Sequence, residues 1–114
     1  MSTISKRGAV LVIAAIVLTA ANAHAATGLP RYDAMAFCQQ VSDTAGGSDS
    51  LKNACVQQEQ SSYNALKLEW DSVAERTRHF CDQVGRSSGG SYQMLSACIA
   101  NETAASSSTP SFKY

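Results

Sequence analysis

Residues 48–84 read SDSLKNACVQQEQSSYNALKLEWDSVAERTRHFCDQV, a run of 37 positions without glycine or proline. Gly46-Gly47 stand before it, and Gly85 and then Gly89-Gly90 follow it. Within the run, Leu51, Cys55, Ser62, Tyr63, Leu66, Trp70, Val73, Thr77, Phe80, Cys81 and Val84 keep a helical spacing of apolar or small residues. The spacing predicts one continuous central helix, roughly 55 Å long at 1.5 Å per residue, on which the rest of the chain folds. The alternative is a break near Ser61-Ser62, which turns the same sequence into a compact four-helix bundle.

The cysteines report on what lies either side of this spine. Cys38 is eight residues before Gly46 and Cys55 eight after Gly47, while Cys81 and Cys98 stand in the same relation to Gly89 and Gly90. Positions equidistant from the turn of an antiparallel helical hairpin lie at the same height, because both helices rise equally per residue. Four cysteines allow three connectivities; the spacing favours Cys38 with Cys55 and Cys81 with Cys98, two stapled hairpins. The intervals between cysteines fit neither a C-x-x-C redox pair nor the two close-set pairs of a structural zinc site.

The two hairpins are copies of one unit at an offset of 43 residues. Phe37-Cys38 matches Phe80-Cys81, Gly46-Gly47-Ser48 matches Gly89-Gly90-Ser91, Ala54-Cys55-Val56 matches Ala97-Cys98-Ile99, and Glu59 matches Glu102. The repeat units therefore cover about 32–59 and 75–102. Ala34, Phe37, Cys38 and Val41 give the first helix its apolar face, with Pro30 suited to its first turn. Ser48 and Ser91 are placed to cap the helices that follow the glycine turns. The third helix is expected from Tyr92 to about Thr103. The expectation for the fold is thus all-α: two disulfide-stapled helical hairpins sharing a long central helix.

Residues 1–25 have the parts of a cleaved signal peptide: Lys6-Arg7, an apolar run from Ala9 to Ala21 broken by Thr19, and Ala23-His24-Ala25 as the cleavage site. The folded domain is then expected over 26–104, and the Ser/Thr-rich residues 105–114 read as a disordered tail. Cleavage removes two of the nine basic residues and none of the nine acidic ones. The resulting mild negative charge lacks the clustered Lys and Arg of a nucleic-acid partner, and no stable membrane anchor is expected after cleavage. Paired cysteines in an exported chain fit a periplasmic or secreted protein.

Few residues suggest chemistry. His79 lies between Glu75 and Asp82 at helical spacing, which describes a solvated charged face more simply than an acid–base pair. Glu59, Glu69, Asp71, Glu75 and Asp82 read as surface charge along the spine. No metal or cofactor motif is present, and the Gly-Gly-Ser turns lack the Lys-Ser/Thr of a phosphate loop. Tyr63, Leu66 and Trp70 share one side of the helix, midway between the two staples. They either pack onto the ends of the outer helices or onto a second copy, or they form an exposed face for a partner, with Arg76 and Arg78 at its rim.

The run Cys55, Glu59-Gln60, Leu66, Trp70, Arg78, Cys81, Gly89-Gly90-Ser91-Tyr92, Leu95, Cys98-Ile99 resembles a pattern in a family of small, uncharacterised exported bacterial proteins. The resemblance spans roughly 45 residues; it implies export and paired cysteines and transfers no catalytic residue. The functional expectation is a non-enzymatic envelope protein that binds an unknown protein partner through the Tyr63, Leu66, Trp70 face. Alternatives are an inhibitor or immunity protein against a cell-wall hydrolase and a self-associating structural or stress component; a small hydrolase built on His79 is the reading from a different class.

Overall fold

Asp33 opens the first helix: its carboxylate accepts from the backbone N–H of Ala36 at 2.9 Å, one of the donors that a helix start leaves unpaired. The computed structural model describes residues 28–108 and 110–114. These form four helices, α1 Ala34–Thr44, α2 Asp49–Glu69, α3 Glu75–Ser87 and α4 Tyr92–Ser106, with a 3₁₀ turn at Trp70–Ser72 between α2 and α3. The signal peptide expected over residues 1–25 lies outside the described residues. Pro30 is not in the first turn of α1 as expected. The segment before Asp33 is instead held in non-helical form by the hydroxyl of Tyr92, which donates to the Pro30 carbonyl at 2.9 Å and accepts from the Tyr32 N–H at 2.8 Å.

The continuous spine is not formed. The helix stops at Glu69, and after the 3₁₀ turn Val73 and Ala74 are extended, with ψ of 134° and 139°. Ser61 and Ser62, where a break was considered, lie inside α2. The cause is tertiary. A straight helix leaves Leu66 and Trp70 between the two staples with no helix to cover them, whereas the break folds α4 back against α2. Leu66 and Trp70 are then buried in one cluster with Tyr32, Cys81, Tyr92, Leu95 and Ile99. Burying a side chain of this size contributes about 1.5–3 kcal/mol, enough to offset the helical hydrogen bonds given up over four residues.

Each hairpin is as the cysteine spacing predicts, with disulfides Cys38–Cys55 across α1 and α2 and Cys81–Cys98 across α3 and α4. The repeat extends to the turn hydrogen bonds. Gly46 N–H donates to Asp43 O and Gly47 N–H to Ser42 O, and 43 residues on Gly89 donates to Arg86 O and Gly90 to Gly85 O. All four turn glycines have φ between 84° and 94°, a left-handed conformation that costs other residues strain. Ser48 and Ser91 cap α2 and α4, accepting from Leu51 and Met94 N–H, each at 3.2 Å. The last helix runs a few residues beyond its expected end, to Ser106; the described residues after it are exposed.

Candidate functional site

The junction between the hairpins is built on a carboxylate that reads as surface charge in the sequence. Glu59 is 1% exposed. Its two oxygens accept from the Tyr92 N–H at 2.6 Å, the Ser91 hydroxyl at 2.8 Å and the Gln93 N–H at 3.2 Å, so that a side chain of α2 caps the start of α4. The charge lies at the positive end of the α4 dipole, where burial is compensated by three hydrogen bonds. The repeat contains the signal for this. Asp49 supplies an acid to the first turn of α2, but 43 residues on that position is Tyr92, and α4 has no acid in its first turn. Glu59 supplies it from outside; its repeat partner Glu102 is exposed.

Fixing the start of α4 fixes Tyr92, and three tyrosines gather on it. Its ring lies 4.7 Å from that of Tyr32 and 5.0 Å, edge to face, from that of Tyr63. Tyr32 in turn reaches α3, donating its hydroxyl to Asp82 Oδ1 at 2.8 Å, while Asp82 Oδ2 pairs with Arg86 Nε at 3.1 Å. Burial, and then the hydrogen bond to Asp82, raise the Tyr32 phenol well above its ordinary value; burial likewise raises that of Tyr92. Gly85 makes room for this contact, since a Cβ there would stand 2.5 Å from the Tyr32 hydroxyl.

Two depressions flank the tyrosines. The larger, of about 530 Å³, lies between residues 29–35 and α2 and is lined by Leu29, Pro30, Arg31, Tyr32, Ala34, Met35, Val56, Gln60, Tyr63 and Tyr92. Lys67 stands over Tyr63 at 5.0 Å from the ring centre. The smaller is a notch of about 260 Å³ lined by Gly28, Pro30, Trp70, Glu75, Arg78, His79 and Asp82. Trp70 Nε1 and Arg78 Nε are buried there without a hydrogen-bond partner, and such an unsatisfied donor costs about 1–3 kcal/mol.

The three residues expected to form an exposed face are brought together, but Leu66 and Trp70 are 0% and 3% exposed. They are core, in the buried cluster with Tyr32, Cys81, Tyr92, Leu95 and Ile99; Tyr63 alone keeps part of its surface, at the wall of the larger groove. His79 is exposed and lines the notch with Glu75 and Asp82, but Asp82 is engaged by Tyr32 and Arg86. No group of three or more His, Cys, Asp or Glu side chains suited to a metal occurs among the described residues.

Fold and junction together define a disulfide-stapled, four-helix protein made of two hairpins joined through a buried carboxylate. No protein-family model, curated protein or solved structure matches the chain.

Proposed function

We propose that the chain is a non-enzymatic, exported binding module that engages another protein through the groove beside Tyr63. The observation that carries this reading is the groove's make-up. Its floor is a set of tyrosine rings held rigid by the Tyr92 hydrogen bonds to Pro30 and Tyr32, and its rim presents Leu29, Val56 and Met35, the last 56% exposed. Rigid aromatic anchors beside exposed apolar side chains are what protein interfaces place at their centre, because little side-chain entropy is lost on contact. Arg31 and Lys67 at the edge suit a partner with acidic groups around an apolar contact.

The bonded cysteines support export. Disulfides form and persist in oxidising compartments, and both cysteine pairs are bonded. No described helix is long and apolar enough to cross a membrane. A periplasmic or secreted location follows if the first 25 residues act as a signal.

The test is capture of partners on the tagged protein from its native cell envelope, with Met35→Glu and Val56→Glu proteins run in parallel. A stoichiometric partner reduced at least about tenfold by both substitutions fits the proposal, as expected from losing the centre of an apolar contact. A partner retained by both variants overturns the assignment to this groove. Recovery of a second copy alone, dispersed by the same substitutions, makes the chain a self-associating envelope component.

A further inference from the structure

The junction between the hairpins uses a face of the first hairpin that the repeat builds a second time. In the first hairpin, Phe37 packs against the Gly89 turn, Glu59 takes the start of α4, and Ala34 and Tyr63 pack against the buried cluster that includes Tyr92. Their counterparts 43 residues on are Phe80, Glu102, Thr77 and Ser106. All four line one open depression of about 680 Å³ between α3 and α4. Nothing among the described residues covers it: Phe80 is 48% exposed, and Glu102 is exposed where Glu59 is buried. The turn that would fill such a face is free as well. A Cβ on Gly89 or Gly90 would meet Phe37 or Tyr32 at 3.2 and 3.4 Å, whereas Cβ atoms on Gly46 and Gly47 would meet nothing within 4 Å. Asp49, at the start of α2, is exposed. One molecule thus carries an uncovered turn and an uncovered face, each the repeat of one half of the junction.

We propose that these halves bind each other between molecules: the Gly46-Gly47-Ser48 turn of one copy seats on the Phe80 and Glu102 face of another, head to tail. Glu102 then accepts from the first N–H groups of α2 and from the Ser48 hydroxyl, as Glu59 does from Tyr92, Gln93 and Ser91. Ser48 is prepared for this, since its oxygen caps α2 as that of Ser91 caps α4, and its O–H is left to donate. The charges match. The face offers Glu102 to the positive end of the α2 dipole and Arg76 to Asp49, and none of the three is in an ion pair with a described residue. Asp49 stands where the second turn has Tyr92, so the contact lacks the ring that anchors the internal junction and is weaker and reversible. Because turn and face are different surfaces, a third copy can add to the second.

Sedimentation velocity of the disulfide-intact protein at rising concentration should show species larger than a dimer. Phe80→Glu puts a charge into the face, and Asp49→Arg sets like charge against Arg76; each should weaken association at least about tenfold. Asp49 is exposed and Phe80 half-exposed, so both variants should melt close to the parent. Glu102→Lys repeats the face test at a fully exposed position if Phe80→Glu disturbs the fold. The decisive sample is an equal mixture of a face variant with Asp49→Arg, at a concentration where the parent associates. Each supplies the half that the other lacks, so the mixture forms 1:1 dimers and stops there. Met35→Glu, in the groove beside Tyr63, leaves association unchanged, which separates this contact from that groove. A parent still monomeric at about 1 mM, where even weak specific contacts are populated, overturns the proposal. So does association that neither substitution weakens, or a mixture that stays monomeric, the behaviour of a dimer built from one self-complementary patch.

Discussion

Replacing Glu59 tests the junction at its most concentrated point. The carboxylate is 1% exposed and takes hydrogen bonds from Ser91, Tyr92 and Gln93 at 2.6 to 3.2 Å. Hydrogen bonds to a charged group contribute about 1.5–3 kcal/mol each, though members of one network do not add. Glu59→Gln keeps the shape and one acceptor oxygen but turns an NH₂ toward a donor, so a loss of about 2–3 kcal/mol is expected. Glu59→Ala strands all three donors and also empties the site, for about 3–5 kcal/mol. At about 4–8 °C per kcal/mol for a domain of this size, Glu59→Gln lowers Tm by about 10–20 °C. The control is Glu102→Gln, the exposed repeat counterpart, expected within about 0.5 kcal/mol of the parent. Urea denaturation with the disulfides intact gives the free energies, and an unchanged m-value confirms that the same surface is exposed on unfolding. If Glu59→Gln costs no more than Glu102→Gln, the carboxylate does not hold the hairpins together and the reasoning fails.

Three other outcomes follow from neighbouring contacts. Gly85→Ala, which in an ordinary helix interior gains up to about 1 kcal/mol, should here cost about 1–3 kcal/mol, because the new methyl meets the Tyr32 hydroxyl; a stabilised variant in a thermal melt contradicts the contact. The raised Tyr32 phenol gives a pH dependence. Below the unfolded value of 10.0 both states are protonated and its contribution is complete; above it the unfolded phenol ionises first and stability falls. Tyr32→Phe should therefore flatten the alkaline decline by up to about 1.4 kcal/mol per pH unit, the slope of one proton, and identical slopes for parent and variant refute this. Each disulfide closes a separation of 17 residues, about 3 kcal/mol in the chain-entropy model. Reduction of both should remove most of a small domain's stability, and an unchanged melting curve in reductant would contradict it.

The hairpins were legible because their geometry is local. Equal rise per residue on either side of a glycine pair brings Cys38 to Cys55 and Cys81 to Cys98, and the 43-residue repeat places Ser48 and Ser91 as caps with the same turn hydrogen bonds. The break at Trp70–Ala74 was not legible, because the residues around it keep a helical period and include neither glycine nor proline. What ends the helix there is the chance to bury Leu66 and Trp70 in one cluster with Leu95 and Ile99, residues about 30 apart in sequence, and periodicity records only that these side chains want burial. For the same reason the expected exposed face became core. Glu59 was missed because a lone carboxylate on a long helix is usually solvated; the missing acid at Tyr92, against Asp49 in the first repeat, was the trace that it left.

Both the groove and the notch exist only because the second hairpin folds back on the first, and one measurement addresses this directly. Tyr63 on α2 and Tyr92 at the start of α4 have ring centres 5.0 Å apart; on an unbroken spine the two would stand roughly 35 Å apart at 1.5 Å per residue. Proton NMR of the oxidised protein should give nuclear Overhauser contacts from the Tyr92 ring to the rings of both Tyr63 and Tyr32. A spectrum with contacts across each disulfide-linked hairpin but none between Tyr63 and Tyr92 would contradict the account.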